Sequence, residues 1–250
     1  MSGHSKWATI KHKKAATDAK RGKTFTRLIK EITMAARHGG GDAEANPHLR
    51  AAVAAAKAEN MPADNIKRAI QRGTGELPGV TFEDAAFEGY GPHGVAVLVE
   101  VSTDNRNRTV SEIRHLFSRF GGSLGEAGCV SWMFSKRGSI AVSKQSASED
   151  QLLGIVLDAG AEDLRDDGEQ WEIVSPTGAL DAIVQALKKA HIEVASSEIA
   201  MLPQTYVKLE GSKAQQMLRL MDGLEEHEDV QNVYSNIDFD ARELEQVSGG

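Results

Sequence analysis

Apolar residues in the first third of the chain recur at the spacing of amphipathic helices. Between residues 23 and 37 they fall three and four positions apart, at Phe25, Leu28, Ile29, Ile32 and Ala36. This spacing predicts a helix that ends at the glycines of residues 39–41. A second helix is predicted to begin at the N-cap Asn46 and Pro47, and a third to span residues 62–73. Three short helices can share a small core, so we expect a three-helix domain over residues 1–75.

Beyond residue 79 the pattern changes to the shorter period that is typical of strands. Residues 81–101 predict two strands joined by a turn that contains glycine and proline, and residues 129–134 predict another strand. Between them, residues 106–120 predict a helix, in which Thr109 and Glu112 are expected to form a capping box.

The remaining elements predict two further α/β segments. Residues 139–201 follow the order strand, helix, strand, strand, helix, strand, which is the split βαβ arrangement of ferredoxin-like folds. Downstream, residues 205–209 predict a strand, and a helix follows in which Ser212 is expected to be the N-cap together with Gln215. Residues 230–237 predict a last strand.

The order of these elements predicts three domains. The elements of residues 95–134 lack a second half, and residues 205–237 supply one. We therefore predict a multi-domain α and α+β protein with an N-terminal three-helix domain, a discontinuous α/β domain and an inserted ferredoxin-like α+β domain. The discontinuous domain is predicted over residues 80–135 and 203–240, and the insert over residues 136–202. Residues 241–250 are expected to form a disordered tail.

Composition indicates an ordinary globular protein of the cytoplasm. The chain has 250 residues, of which 40% are hydrophobic and 26% charged. Its single cysteine, Cys129, cannot form an internal disulfide and fits a reducing compartment. The N-terminus lacks the apolar run of a secretory signal, and the longest apolar runs are too short to span a bilayer. We expect a cytoplasmic protein without a membrane partner.

Charge is distributed unevenly between a basic head, defined here as residues 1–75, and an acidic body, residues 76–250. The head has 15 Lys and Arg against 6 Asp and Glu, whereas the body has 14 against 30. This asymmetry predicts that the head meets an anionic partner, and nucleic acid is the partner that we expect. Trp7 offers a face on which a base could stack, although it could equally pack against the first helix. The predicted nucleic-acid-binding residues are Lys6, Trp7, Lys11, His12, Lys13, Lys14, Lys20, Arg21, Lys23, Arg27, Lys30 and Arg37.

Catalytic or metal-binding patterns are not apparent in the sequence. The eight histidines have no metal-ligand spacing, and the glycine-rich residues 121–128 follow a helix rather than preceding one, as a phosphate-binding loop would. No histidine can be paired with Cys129 as a base. We therefore predict no enzyme activity, cofactor, metal or small-molecule substrate. The polar residues Asn105, Arg106, Asn107 and Arg108 fit either a capped helix start or an accessory phosphate contact.

Several motifs give the chain a specific resemblance. They are Gly3-His4-Ser5-Lys6-Trp7, Ile10-Lys11-His12-Lys13-Lys14, Asp18-Ala19-Lys20-Arg21-Gly22-Lys23, Asn60-Met61-Pro62, Asp64-Asn65-Ile66, Glu88-Gly89-Tyr90-Gly91-Pro92 and Thr103-Asp104-Asn105-Arg106-Asn107-Arg108-Thr109. In these the chain resembles the YebC/PmpR family of probable transcriptional regulatory proteins, whose mitochondrial relatives are translational activators of cytochrome oxidase. The resemblance implies a helical first domain and two α/β domains, one inserted in the other.

Two levels of action remain open at this point. The resemblance implies either a DNA-binding regulator of transcription or a factor that binds rRNA or tRNA on the ribosome and relieves stalling, for example at proline runs. Two readings from other classes are a hydrolase or transferase in the cleft between the α/β domains and a scaffold that binds proteins through the acidic body. Our leading hypothesis is a non-enzymatic, nucleic-acid-binding regulator of gene expression that uses the head.

Features of the head favour a structured RNA at least as strongly as a DNA operator. Lysine outnumbers arginine in the N-terminal arm, and arginine is the residue that reads guanine with two hydrogen bonds. The connection of residues 39–45 is too long for a helix-turn-helix, so we expect that no helix pair in the head has the short-turn signature of that motif. These features predict association with ribosomes and weak sequence preference on duplex DNA.

Overall fold

The computed structural model describes residues 18–78, 82–168 and 170–239, with side chains from Thr24 onward. In these ranges the chain forms seven α-helices and ten β-strands. None of the helices in the described ranges has both the length and the apolar character that crossing a bilayer requires.

Three helices form the described part of the head, as the apolar spacing predicted. They are α1 (Asp18–Gly39), α2 (Pro47–Ala58) and α3 (Ala63–Gly73). Their shared core consists of Leu28, Ile32, Ala36, Leu49, Ala52, Ala56, Met61, Ile66 and Ala69. Asn46 is confirmed as the N-cap of α2, since its Oδ1 accepts from the backbone N–H of Leu49 at 3.1 Å. Its Nδ2 also donates to two carbonyls at the end of α1, so one side chain fixes the angle between two helices.

The first sheet is built from two separate parts of the chain. Its strands are β1 (Glu83–Tyr90), β2 (Ala96–Thr103), β3 (Ser123–Leu124) and β9 (Val230–Ser235), in the order β3-β1-β2-β9 and antiparallel throughout. Helices α4 (Arg106–Arg119) and α7 (Gly211–Glu225) pack on one face. A short parallel pair, β8 (Val207–Lys208) and β10 (Ile237–Asp238), lies beside them. Because β9 pairs with β2, the C-terminal elements complete the earlier unit, as the pattern predicted.

The second sheet has the predicted ferredoxin-like topology. Its strands are β4 (Phe134–Ser143), β5 (Asp163–Asp166), β6 (Gln170–Ser175) and β7 (Ser196–Pro203), in the order β5-β6-β4-β7 with every neighbouring pair antiparallel. Helices α5 (Glu149–Val156) and α6 (Leu180–Lys189) connect them and share a core with the sheet. The chain order and strand order together are those of the split βαβ fold. The bounds proposed for the three domains remain predictions.

The strand predicted over residues 129–134 is wrong. Residues Ser131–Met133 form one turn of 3₁₀ helix, and the strand begins at Phe134. The cause is Glu88, whose carboxylate accepts hydrogen bonds from the backbone N–H groups of Gly128, Val130 and Ser131 at 2.8, 2.9 and 2.7 Å. These donors converge on one side chain and therefore cannot pair with a neighbouring strand.

Two predicted helix caps are also corrected. Helix α4 is capped by Asn105, whose side chain accepts from the Arg108 N–H at 3.1 Å, whereas Thr109 is buried inside the helix. Helix α7 begins at Gly211, so Ser212 lies within the helix, and its N-cap residue makes no side-chain capping bond.

The outer face of the first sheet meets both other parts of the molecule. At one end, Leu98 of β2 and Tyr234 of β9 pack against the second sheet in a cluster that includes Phe134, Val174 and Leu202. The face opposite to this one carries α4 and α7. At its other end the outer face approaches α1 of the head.

Candidate nucleic-acid interface

Half of the predicted nucleic-acid-binding residues lie outside the described ranges: Lys6, Trp7, Lys11, His12, Lys13 and Lys14. Three more, Lys20, Arg21 and Lys23, lie in the first two turns of α1, where the structure describes the backbone alone. Arg27, Lys30 and Arg37 are described with their side chains.

Lys30 is buried in the joint between head and body. Its side chain is 7% exposed, and its Nζ lies 2.5 Å from Oδ1 of Asp229 and 3.1 Å from the carbonyl oxygen of Glu228. The ring centroid of Phe82 lies 5.3 Å from the same ammonium group. Because its charge is neutralised within the chain, Lys30 does not suit a phosphate contact, and we remove it from the interface.

Asp229 collects four donors at one fully buried carboxylate, and we call this group the Asp229 cluster. Besides Lys30, its oxygens accept from Arg108 Nη2 at 2.7 Å, Thr109 Oγ1 at 2.8 Å and Thr103 Oγ1 at 3.2 Å. Burial acts to raise the pKa of Asp229, but the hydrogen bonds from Lys30, Arg108 and Thr109 hold that pKa well below its usual range. The carboxylate is therefore ionised at neutral pH and links α1, α4 and the segment before β9.

Contacts within the chain, including one to Asp229, engage two of the four polar residues 105–108. Asn105 caps α4, and Arg108 binds both Asp229 and Asp104, the latter at 2.9 Å. Of the four residues, Arg106 and Asn107 are left exposed, and the Arg106 guanidinium lies 5.9 Å from the ring centroid of Phe87. The capped helix start accounts for Asn105 and Arg108, so only Arg106 and Asn107 remain available for an accessory contact.

A metal ion does not fit the same group, although Glu112, His227 and Asp229 bring ligand atoms within 4.8 Å of one another. His227 Nε2 and Glu112 Oε2 lie 2.8 Å apart and bind each other, while two cationic side chains compensate the charge of Asp229. The chemistry is that of an ion-pair network.

Helix α1 is consequently buried on two faces. Leu28 and Ile32 face the core of the head, whereas Lys30 and Met34 are buried on the side that meets the body. Arg37 is exposed, but its Nη1 donates to the carbonyl of Phe82 at 3.0 Å. The face predicted to bind phosphate is thus largely the face that holds the head against the body.

Helix α3 presents the basic face that sequence reasoning missed. Lys67, Arg68 and Arg72 are exposed on the side opposite to the buried Ile66 and Ala69. Among the residues that the structure describes, no hydrogen bond or ion pair engages these three side chains. Arg68 and Arg72 lie one turn apart, so they project in the same direction. This spacing could have predicted a basic helix face from the sequence, but the prediction rested on the lysine-rich N-terminal arm.

The connection before α3 is short, contrary to expectation. Helices α2 and α3 are joined by the four residues 59–62, with Asn60 at a φ of 58° and Pro62 just before the helix. The expectation that the head lacks a helix-turn-helix rested on the α1–α2 connection, and that reason does not apply to this second pair. The α1–α2 connection is long, but the following pair has the turn length of a helix-turn-helix unit.

Comparison with known proteins agrees with this architecture. The description "TACO1/YebC protein N-terminal domain" matches residues 5–76, and "TACO1/YebC second and third domain" matches residues 82–237. The chain belongs to the TACO1/YebC family. The resemblance to the YebC/PmpR proteins is thereby confirmed over nearly the whole chain.

Relatives in this family carry a common description. A probable transcriptional regulatory protein of Koribacter versatilis is 66% identical, and one of Acidobacterium capsulatum is 64% identical, each over 249 residues that cover 100% of both chains. One of Geobacter sulfurreducens is 58% identical and covers 99% of this chain and 100% of its own. Among solved structures, a conserved hypothetical protein from Aquifex aeolicus superposes with a TM-score of 0.80 at 43% identity, covering 91% of this chain and 94% of that one.

Proposed function

We propose that this protein is a non-enzymatic regulator of transcription in the cytoplasm that binds DNA through its helical head. The observation that carries the proposal is the exposed face of α3, which presents Lys67, Arg68 and Arg72 directly after a four-residue turn. The description shared by the family's relatives, probable transcriptional regulatory protein, supports the same function.

The chemistry of the α3 face suits duplex DNA. An arginine in the major groove can donate two parallel hydrogen bonds to O6 and N7 of guanine, which distinguishes that base from the others. Arg68 and Arg72 are one helical turn apart and could reach neighbouring base pairs, while Lys67 and the lysines of the N-terminal arm neutralise phosphates.

The charge of the body supports binding of DNA by the head. Residues 76–250 have 30 acidic and 14 basic residues, so the body repels a polyanion, and the head is the surface that attracts it. The buried Lys30–Asp229 ion pair holds the head at a fixed place on the body.

The state of Cys129 fits a protein that does not act through a nucleophilic thiol. Burial, together with the charge of Glu88, raises the pKa of the Cys129 thiol, so the thiol is protonated at neutral pH and is a poor nucleophile.

Binding of duplex DNA by an Arg68→Gln, Arg72→Gln double variant tests the proposal. We expect affinity for a preferred site to fall by about 1–3 kcal/mol per arginine and sequence discrimination to weaken, as measured by fluorescence anisotropy against a library of duplexes. The matched control is Lys188→Gln, Lys189→Gln, which removes the same charge from the exposed end of α6 in the body.

Three outcomes separate the alternatives. Loss of binding in the head variant with normal binding in the α6 control supports the proposal. Equal binding by both variants contradicts it. Co-sedimentation with ribosomes, without discrimination between DNA sequences, also contradicts it and favours action in translation.

A further inference from the structure

A cleft of about 840 Å³ lies between the head and the outer face of the first sheet. Helices α1 and α2 form one wall, and strands β1, β2 and β9 form the other. Small-molecule sites in proteins commonly enclose roughly 300–1,000 Å³, so the cleft has room for a ligand of the size of one nucleotide.

Two polar atoms in the sheet wall have no hydrogen-bond partner in the part of the chain that the structure describes. They are Oγ of Ser102, a residue that is 2% exposed, and Nε2 of Gln231. Both residues line the cleft, Ser102 from β2 and Gln231 from β9. Buried polar groups are nearly always paired with protein or ordered water, so this hydroxyl and this amide donor mark the places in the wall where a bound molecule could supply a partner.

The sheet wall also carries hydrogen-bond acceptors. The carboxylates of Asp84 and Glu100 line the cleft, and Glu100 is held in place by Asn232 Nδ2 at 3.0 Å and by the Tyr234 hydroxyl at 3.3 Å. This wall therefore offers fixed acceptors next to the unpaired Ser102 hydroxyl and the Gln231 amide.

The helix wall has a different character. It contributes the half-buried cation Arg27 and the exposed His38 and His48, together with the carboxylate of Glu31. The apolar residues Met34 and Ala35 also line the cleft. Cationic and imidazole groups thus lie on the side opposite to the sheet carboxylates.

We propose that this cleft binds one unstacked nucleotide, with its base against the sheet wall and its phosphate at Arg27. An amino group of the base donates to Glu100 or Asp84, and the ring nitrogens or carbonyls of the base accept from Gln231 Nε2 and the Ser102 hydroxyl. A simple amine would satisfy the carboxylates and Ser102 but leave the Gln231 donor unpaired, and a free anion without N–H groups would leave Asp84 and Glu100 without a donor. Adenine, cytosine and guanine carry an exocyclic amino group, whereas thymine does not, so the cleft prefers the first three.

This inference rests on the proposed function, because the nucleotide is taken from an unpaired stretch or end of the nucleic acid that the head holds. The cleft begins at α1, so one polynucleotide could contact the head and place a base between the head and the body. Bases that leave a stack are commonly read by hydrogen bonds to their edges in such pockets.

Titration of the full chain with dAMP, dCMP, dGMP and dTMP tests the inference, with binding followed by calorimetry and by amide NMR shifts. We expect saturable binding of the three amino-bearing nucleotides and at least tenfold weaker binding of dTMP. A Ser102→Ala, Gln231→Leu double variant should lose at least tenfold in affinity. A Ser118→Ala, Gln185→Leu variant, altered at exposed sites on α4 and α6, is the matched control and should bind normally.

The melting temperature separates a binding role from a structural one. Replacing unpaired buried polar groups by apolar ones removes no native hydrogen bond, so the double variant should melt at or above the wild-type temperature. Absence of saturable binding by any of the four nucleotides, or equal binding by wild type and double variant, overturns the inference. If duplex DNA binding still depends on Arg68 and Arg72 in that case, only the cleft assignment fails, whereas intact DNA binding in the Arg68 and Arg72 variant contradicts the proposed function itself.

Discussion

Asp229 is a fully buried carboxylate that binds two positively charged side chains from distant parts of the chain. Lys30 comes from α1, 199 positions away, and Arg108 comes from α4, 121 positions away. A buried ion pair adds little net stability compared with apolar residues of the same shape, but removing one partner leaves the other charge buried without compensation. The cluster is therefore sensitive to any change at Asp229.

An Asp229→Asn variant should be destabilised by about 3–5 kcal/mol, because Lys30 and Arg108 lose their counter-charge while the shape of the side chain is kept. Urea unfolding at neutral pH measures the difference. Asp163→Asn is the matched control, since it removes the carboxylate of an exposed pair with Arg165 and should cost less than about 1 kcal/mol. A loss at Asp229 as small as that of the control would contradict the role given to the cluster.

The stabilising effect of Asp229 should depend on pH in acid solution only. The pKa of this carboxyl is lower in the folded than in the unfolded state, where it is about 3.9. Its contribution is thus complete above that value and is lost as the pH falls below about 4. The stability difference between wild type and Asp229→Asn, measured by urea unfolding from pH 7 to pH 3, should be constant down to about pH 5 and then shrink. A difference that shrinks between pH 7 and pH 5 would contradict this assignment.

Contacts between residues close in sequence could be predicted, whereas contacts between distant residues could not. Asn46 could be recognised as an N-cap because its partner, the Leu49 N–H, is three residues away. Lys30 could not be recognised as buried, since Asp229 is brought to it only by the packing of head on body. The apolar Met34, one helical turn after Lys30, was a local sign that this side of α1 is covered.

At the scale of elements, Glu88 determines the conformation of the segment between β3 and β4. Its carboxylate accepts three backbone hydrogen bonds from residues 128–131. Burial acts to raise the pKa of Glu88, but these bonds together lower it, so the group is charged and a strong acceptor at neutral pH. An apolar run that reads as a strand is thereby fixed as a loop, which periodicity alone does not predict.

A Glu88→Gln variant should loosen this loop without unfolding the sheets, because the neutral amide oxygen is a weaker acceptor and the amide nitrogen cannot accept at all. We expect amide exchange of Gly128, Val130 and Ser131 to accelerate at least tenfold, as followed by NMR. Glu126→Gln, a neutral replacement in the same loop, is the matched control and should leave these rates unchanged. Equal rates in all three proteins would mean that Glu88 does not hold the loop.

Element order was the most predictable feature of the body. The alternation of strands and helices over residues 139–201 led to the correct ferredoxin-like topology because that order is itself the signature of the fold. The exposed basic face of α3 was not predicted, although Arg68 and Arg72 are spaced one helical turn apart in the sequence.

At the scale of the whole molecule, the second sheet and its two helices should form an independent folding unit. Every strand that pairs with β4 to β7 lies within residues 134–203, and a separate apolar core includes Ile140, Leu152 and Ile183. A fragment of residues 134–203 should therefore unfold cooperatively on heating, as measured by circular dichroism. A gradual, non-cooperative transition would contradict the insert boundaries predicted near residues 136 and 202.

The head and the body differ in charge and are joined through the Asp229 cluster and through Arg37 on the Phe82 carbonyl. The charge asymmetry was visible in the sequence, and the exposed basic side chains of α3 lie in the part of the chain that it pointed to. Which basic residues are free was decided by packing: Lys30 is used inside the molecule, and the α3 residues remain outside.

Hydrogen–deuterium exchange of the full chain, with and without a bound DNA duplex, tests the central claim most directly. The account predicts that DNA slows exchange in α3, residues 63–73, and in the four-residue turn before it, while exchange in the second sheet, residues 134–203, stays unchanged. Protection of the second sheet with no change in α3 would contradict the claim that the head is the surface that binds nucleic acid.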